Sequence, residues 1–542
     1  MEDMRANLKR IIIIAAVLMT LLSARLAYIQ LAGHEELSAA TREQSLISLQ
    51  GSNTRGIIYD INGSPLVADS RRYIYIIKKE NFSRKTEERL KNAGAERVNG
   101  DNGDYLVYSS ENYRKKTGSE LIKEDQAYIL EASARYSDKQ AAAHLIGYVN
   151  RSDQSGAAGL ELMFDEQLSG LNRRLYAVAD VKGSILPGRG LLITSDNYSD
   201  SSVKEGIRTT VDREIQEAVE NIIEGQKKDC AVVILNARTG GVTAMACTPG
   251  FNPNDINEHL DGGDDELVNK ATQGEYPPGS VFKIVVAAAA LEEGIEKDRA
   301  FTCSGGVNVE GIEISCETGG EGGHGEINME EAFAGSCNSY FIRLGEELGW
   351  ERISEAAREF HLGEKALEGY PQEKSGRLMT EAESRGAAIG NLSIGQGQTL
   401  TTPLQVARMT NIIASGGIDR GVHILAEEEE GEERVLSENT AEELGGMMEK
   451  TVKEGTAAPL EMTDEGDNPE AAVKTGTAQY GSGEHSGTHG WITGYAPCEE
   501  PEYTITVFVE DGESGTKDSG PVFRDIVRYL KKSGNYSMPT LA

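Results

Sequence analysis

The stretch Tyr276-Pro277-Pro278-Gly279-Ser280-Val281-Phe282-Lys283, running on into Ile284-Val285-Val286-Ala287-Ala288-Ala289-Ala290-Leu291, decides how the rest of this chain is read. Two prolines and a glycine end a loop, so a helix is expected to begin at or beside Ser280 and to stop by Gly294. From Ile284 to Leu291 the helix is apolar all round, which marks it as buried. Spacing of i and i+3 sets Ser280 and Lys283 on one face. A serine hydroxyl is a weak nucleophile and needs a base beside it. A lysine at a buried helix start loses hydration, and that lowers its pKa toward the range where it accepts a proton. The unpaired N–H groups at the same helix start would meet a developing oxyanion.

Taken alone, a serine three residues before a lysine is a common pattern and reads as a helix cap with a solvated lysine. Its company changes that reading. Gly335-Ser336-Cys337-Asn338-Ser339-Tyr340-Phe341 supplies Ser-x-Asn, its serine 56 residues beyond Ser280. Ala472-Val473-Lys474-Thr475-Gly476-Thr477-Ala478 supplies Lys-Thr-Gly-Thr at the start of an apolar strand. The order S-x-x-K, S-x-N, K-T-G is the signature of the serine acyl-transfer enzymes of the penicillin-binding and β-lactamase group.

Beyond these motifs the chain resembles a class B penicillin-binding protein over nearly its whole length. Arg55-Gly56-Ile57-Ile58-Tyr59-Asp60-Ile61-Asn62-Gly63 is similar to that family's R-G-x-I-x-D-R-N-G motif, with Ile61 in place of the usual arginine. Gly159-Leu160-Glu161 with Leu168-Ser169-Gly170, Ser393-Ile394-Gly395-Gln396-Gly397, and His489-Gly490-Trp491-Ile492-Thr493-Gly494-Tyr495-Ala496-Pro497 resemble further family segments.

The resemblance implies an α+β fold: a penicillin-binding transpeptidase domain with a five-stranded antiparallel sheet flanked by helices, plus an all-helical subdomain. A transmembrane helix and a smaller extended α+β N-terminal domain of pedestal or dimerisation type would precede it. It implies that Ser280 attacks the D-Ala-D-Ala carbonyl and becomes acylated, while Lys283 takes its proton. Ser336 would relay the proton to the leaving amine, and Asn338 would hold the substrate amide and position Lys283. Lys474 would add positive charge, Thr475 and Thr477 would bind the substrate's terminal carboxylate with Gly476 also substrate-binding, and the backbone N–H groups of Ser280 and Thr477 would form the oxyanion hole. The implied activity is peptidoglycan D,D-transpeptidation, inhibited by covalent β-lactam binding, with no metal or organic cofactor. The implied partners are stem peptides, β-lactams, the membrane and a SEDS-type glycan polymerase. A D,D-carboxypeptidase, a β-lactamase, and a β-lactam sensor or non-catalytic wall scaffold are the alternatives.

Composition bounds the rest. A chain of 542 residues calls for two or three domains. A formal charge of -33 excludes a general nucleic-acid binder, which must neutralise phosphates. The acidic run Glu427–Glu430, between Val422–Leu425 and Val435–Leu436, reads as a solvated hairpin tip. Six cysteines (230, 247, 303, 316, 337 and 498) show no C-x-x-C spacing and no clustered histidines, which argues against a zinc site. Cys303 and Cys316 bracket a Gly-rich loop and could be bridged in an oxidising space, whereas Cys337 reads as a small buried packing residue. His489, a candidate second base, and His144 read as structural histidines, and Trp491 and Tyr495 as strand packing.

Arg5, Lys9 and Arg10 precede the apolar run Ile11–Leu22, which extends less strictly to Leu31 and is then long enough to span a membrane. Leu22 spoils a signal-peptide cleavage pattern, so an uncleaved anchor is favoured. The expected organisation is a cytoplasmic tail over 1–10, an anchor over 11–31, an N-terminal domain over 32–200 and the transpeptidase domain over 205–535. The catalytic part then lies outside the cell membrane. About 170 residues between anchor and catalytic half leave no room for the glycosyltransferase domain of class A members.

Overall fold

The computed structural model describes residues 12–23, 25, 46–48, 55–68, 70–97, 105–110, 112–150, 155–169, 173–178, 191–195, 206–256, 259, 265–316, 322–428, 431–481 and 486–534. They divide into two compact units. The expected tail, the linker after Ser195 and part of the anchor lie outside the described residues.

The larger unit comprises 55–69, 136–170 and 204–542. Its sheet is built from strands β1 (Cys230–Asn236), β2 (Val242–Thr248), β3 (Ala472–Tyr480), β4 (Gly487–Ala496) and β5 (Tyr503–Val509), in the order β2-β1-β5-β4-β3 and antiparallel throughout. The two ends of the domain's sequence thus meet at its centre. Side-chain alternation gives the sheet two buried faces. Val232 and Ile234 point to a core shared with Ile215, Val219 and Ile223 of helix α1 (Arg213–Glu224) and Phe523, Ile526 and Leu530 of the helix Gly520–Lys532. Ala231, Val233 and Leu235 point to the opposite core, which holds helix α2 (Lys283–Glu292). Asp212 caps α1, accepting from the N–H groups of Glu214 and Ile215.

In α2 every residue from Lys283 to Ala290 is buried, as expected of a helix without a polar face. Around it lie α3 (Asn338–Glu359, broken at Gly349), α4 (Pro403–Ala414) and α5 (Glu438–Lys453). This side is not all-helical. The antiparallel pairs Phe301–Cys303 with Gly325–Ile327, and Gly306–Val309 with Ile312–Ser315, interrupt it.

The segments 55–69 and 136–170, expected in the N-terminal domain, group with the catalytic half. Buried Arg55 joins the two segments to each other, binding Glu161 at 2.9 Å and Asp165 at 2.7 Å while Tyr136 donates to Glu161 at 2.9 Å. Ile61 N–H donating to the Val211 carbonyl at 2.8 Å, and the Tyr370 hydroxyl donating to the His144 and Leu145 carbonyls at 3.0 and 3.1 Å, tie them to the catalytic half. Ile57–Tyr59 runs parallel to Gly206–Arg208. Asn62-Gly63 forms a tight turn across which the chain folds back antiparallel, with Asp60 N–H donating to the Ser64 carbonyl at 2.8 Å, Leu66 N–H to the Ile58 carbonyl at 2.8 Å, and a bridge between Tyr59 and Pro65. The acidic run lies between the paired dipeptides Ile418–Asp419 and Glu433–Arg434, the first beyond Val422–Leu425 and the second just inside Val435–Leu436.

The smaller unit has a four-stranded sheet, ordered Glu96–Arg97, Tyr105–Ser110, Ser70–Lys78, Tyr128–Ala134, and a separate three-stranded sheet. Two helices, Arg84–Ala93 and Lys115–Glu124, seal a small core of Tyr75, Ile77, Leu90 and Leu121. Near the N-terminus residues 12–23 are helical. Among the described residues no helix is long and apolar enough to cross a membrane.

Candidate active site

The residues singled out by the three motifs converge on one cleft. The chain enters it through a 3-10 turn, Gly279–Phe282, which passes directly into α2. In a 3-10 turn residues three apart eclipse, so Ser280 and Lys283 project from the same side. Gly279 has φ +55°, and a Cβ there would lie 2.6 Å from the Thr477 carbonyl oxygen. Only glycine lets this turn seat against β3. Trp491, fully buried on β4, donates its indole N–H to the Pro277 carbonyl at 3.0 Å and fixes the other side of the turn.

Ser280 stands half-buried on the cleft wall with Ser336, Asn338, Thr475, Gly476 and Thr477. Lys283 lies behind it, fully buried. Its Nζ donates to the Ser336 carbonyl at 2.7 Å, to Asn338 Oδ1 at 2.8 Å and to Ser336 Oγ at 3.2 Å. None of these acceptors carries a negative charge, and burial brings the Lys283 pKa down from its ordinary value to about 7. Asn338 is locked from both ends, because its Nδ2 donates to the Ser315 carbonyl at 3.2 Å. Ser336 adopts φ +54°, a left-handed conformation that costs a serine free energy and is held by its surroundings. Cys337 N–H to Ala332 O at 2.8 Å is one such constraint.

Lys474 approaches Ser336 from the sheet side, also fully buried, donating to Ser336 Oγ at 3.2 Å and to the Thr475 carbonyl at 2.8 Å. Its pKa is pulled well down, by burial first and by the Lys283 charge second. Ser336 Oγ therefore joins two amines whose joint protonation is disfavoured. Strand β3 forms the edge of the sheet, so among the described residues its outer backbone groups have no strand partner.

Sequence reasoning missed Thr456, whose hydroxyl forms a short hydrogen bond with that of Thr475 and whose carbonyl accepts from Thr516 at 2.9 Å. Both line the cleft, yet neither belongs to a motif with a readable spacing. His489 lines the cleft too, stacked on Tyr480 with ring centroids 4.3 Å apart. Burial lowers its pKa to about 4, so it stays neutral in the physiological range. His144 is buried likewise, with its pKa lowered to about 4, and its Nε2 meets the Glu266 carbonyl at 2.8 Å. Tyr495 and Trp491 are core residues.

The cysteines depart from expectation. All six are free, so Cys303 and Cys316 are not bridged. Instead Cys303, Cys316, His324 and Cys337 bring their ligand atoms within 4.8 Å of one another. Linear spacing argued against a metal site here, whereas the tertiary structure gathers a group of suitable ligand composition.

The cleft thus pairs two lysines of lowered pKa through one serine, beside a second serine at the start of a buried helix. The family profile described as "Penicillin binding protein transpeptidase domain" matches residues 230–528. The chain belongs to the class B penicillin-binding proteins. It is a serine-type peptidoglycan D,D-transpeptidase.

The transpeptidase is 30% identical over 439 residues to penicillin-binding protein PbpB of Mycolicibacterium smegmatis, covering 74% of this chain and 65% of that one. It is 27% identical over 577 residues to peptidoglycan D,D-transpeptidase MrdA of Acinetobacter baumannii, covering 91% and 83%. In fold it is similar to PBP2 of Helicobacter pylori in a structure of its complex with MreC, with a TM-score of 0.68 and 23% identity over 90% of this chain and 98% of that one.

Proposed function

We propose that Ser280 is the nucleophile of this transpeptidase and that Lys283, neutral when its proton is absent, is the base that activates it. The observation that carries this reading is the buried Lys283 amine, bonded only to dipolar acceptors at the back of the cleft that Ser280 faces. Ser280 Oγ attacks the penultimate D-Ala carbonyl while its proton passes to Lys283. The backbone N–H groups of Ser280 and Thr477 receive the oxyanion. Ser336 Oγ, 3.2 Å from both amines, then carries a proton toward the departing D-Ala amine. An acceptor amine from a second stem peptide reverses these steps and forms the cross-link.

Thr475 and Thr477 bind the donor's terminal carboxylate, and Gly476 leaves the strand open to the extended donor backbone. Lys474 stays behind the strand and acts on the carboxylate and on Ser336 through its charge, which an incoming carboxylate would favour. A cleft of about 1290 Å³ exceeds the roughly 300–1,000 Å³ of a single small-ligand pocket and leaves room for donor and acceptor together.

The enzyme is held in the membrane by residues 11–31, tail inside and catalytic unit outside. Supporting this are the basic residues before the run and its apolar side chains, with Ile12, Ile13, Leu21 and Leu22 each 58% or more exposed. It works beside a SEDS-type glycan polymerase. The Helicobacter relative's complex with MreC supports membership in a larger assembly.

Acylation by a fluorescent penicillin tests the central claim. Label should appear on the wild-type chain and vanish in Ser280→Ala; label that survives the substitution refutes the assignment. Attachment of a D-amino acid to a pentapeptide stem supports transpeptidation, simple release of D-Ala a carboxypeptidase, and rapid loss of label a β-lactamase.

A further inference from the structure

We propose that Cys303, Cys316, His324 and Cys337 form a closed tetrahedral zinc site that holds the Ser336–Asn338 turn in its working shape. The ligand atoms come from four places: the end of the strand Phe301–Cys303, the residue after Ile312–Ser315, the residue before Gly325–Ile327, and the N-cap of α3. All three thiols are nearly or fully buried, at 2%, 2% and 0% exposure for Cys303, Cys316 and Cys337. Zn–S bonds of about 2.3 Å and Zn–N bonds of about 2.0–2.1 Å at tetrahedral angles give S···S edges of about 3.8 Å and S···N edges of about 3.6 Å. Cys316 Sγ lies 3.7 Å from Cys337 Sγ and 3.6 Å from His324 Nδ1, so two edges already have those lengths. A disulfide would need an S–S separation of about 2.05 Å. Three thiolates and one imidazole leave no open coordination position, the composition of a structural site and not a catalytic one.

The backbone around the site is shaped to bring the ligands together. Cys303 pairs across its ladder with Gly325, which puts His324 next to that pair. Gly323, at φ +75°, passes so close that a Cβ there would lie 2.4 Å from the Cys303 carbonyl oxygen and 2.2 Å from Gly305 N. The position admits only glycine, and the close approach delivers the imidazole to the sulfurs.

The site's neighbours explain its use. Cys337 stands between Ser336 and Asn338, which among the described residues supply the acceptors of the Lys283 amine. Cys316 follows Ser315, whose carbonyl holds the other end of Asn338. Zinc would fix both anchors of that network and sustain the left-handed Ser336. On binding, the three thiols give up their protons to solvent as three Zn–S bonds form. The ion takes no part in acyl transfer. This second half of the inference rests on the proposed role of Lys283, whereas metal content is independent of it.

Metal analysis of the full chain purified in detergent should find one zinc per chain. Cobalt(II) substituted for it should give thiolate-to-metal charge transfer and the intense ligand-field bands of a tetrahedral ion. Cys303→Ser and His324→Ala should lose zinc, while Cys498→Ser, remote from the cluster, keeps it. Since a ligand variant can misfold, a chelator supplies the second test on the wild-type chain. Removing zinc should slow penicillin acylation about tenfold or more, and zinc added back should restore it. Protein without metal, an octahedral cobalt spectrum, or zinc retained equally in Cys303→Ser and His324→Ala would overturn the site. A chelated, zinc-free chain that acylates at the original rate would overturn its role in holding the turn. Absence of acylation in zinc-replete wild type would instead count against the proposed function and leave the metal result standing.

Discussion

Burial of Lys283 should make acylation depend on pH in a definite way. An ordinary lysine of pKa near 10.5 is neutral at pH 7 in about one molecule in 3,000, whereas one at about 7 is neutral in half of them. The folded site therefore raises the population of competent base about 1,500-fold at neutral pH, which corresponds to a free energy on the order of 5 kcal/mol. That energy is a cost of folding. Unfolded, the lysine keeps its proton up to its ordinary pKa, while folded it releases it near 7. Between these values the unfolded chain binds more protons, so stability rises with pH. The penalty is fully present below about 7 and is gone above the ordinary value. This group alone should add about 2 kcal/mol of stability between pH 7 and 9. The assay has two parts. Second-order acylation rates with a fluorescent penicillin, from pH 5.5 to 9, should rise with a midpoint near 7 and be about tenfold below the plateau at pH 6. Urea unfolding of wild type and Lys283→Met at pH 7 and 9 should show the wild type gaining stability relative to the variant. A rate that falls or stays flat through pH 7, with parallel stability curves, would refute Lys283 as a base tuned by desolvation.

Other consequences follow from single contacts. Gly279→Ala should destabilise the fold by about 1–3 kcal/mol and slow acylation, because its left-handed φ and the nearby Thr477 carbonyl both exclude a methyl group; thermal unfolding and labelling rates check this. Arg55→Ala leaves Glu161, which is 0% exposed, without its guanidinium, and should cost about 3–5 kcal/mol in denaturant unfolding. Thr456→Val removes the hydroxyl partner of Thr475 and should lower kcat/KM for a stem peptide by about fivefold, equivalent to about 1 kcal/mol, with little change in melting temperature.

Much of the catalytic half was legible in the residues. The apolar, faceless run after Lys283 could only be an interior helix, and Asp212 before an amphipathic pattern could only begin α1. The short apolar runs at 231–235, 242–246, 490–495 and 503–509 lie in four strands of the central sheet. Where local signal competed with long-range partners, sequence reasoning fell short. Asn62-Gly63 makes a tight turn that folds Ile58–Asp60 back on Ser64–Leu66, and only the tertiary structure shows Ile57–Tyr59 also pairing with Gly206–Arg208. Residues 55–69 and 136–170 group with the catalytic unit through contacts such as the Tyr370 hydroxyl on the His144 carbonyl, between residues 226 positions apart.

What the sequence by itself determined is chemical identity: a serine and a lysine three apart, a Ser-x-Asn, a Lys-Thr-Gly and an apolar helix to bury them. Those are local facts, carried by spacing and by the hydrophobic period. Tertiary structure alone decided how the two lysines share Ser336, why Thr456 stands behind Thr475, and that four ligand residues spread from 303 to 337 meet within 4.8 Å. The physical reason is that a pKa or a coordination site depends on what surrounds an atom in space, and chain closure brings those neighbours from segments whose sequences hold no record of one another.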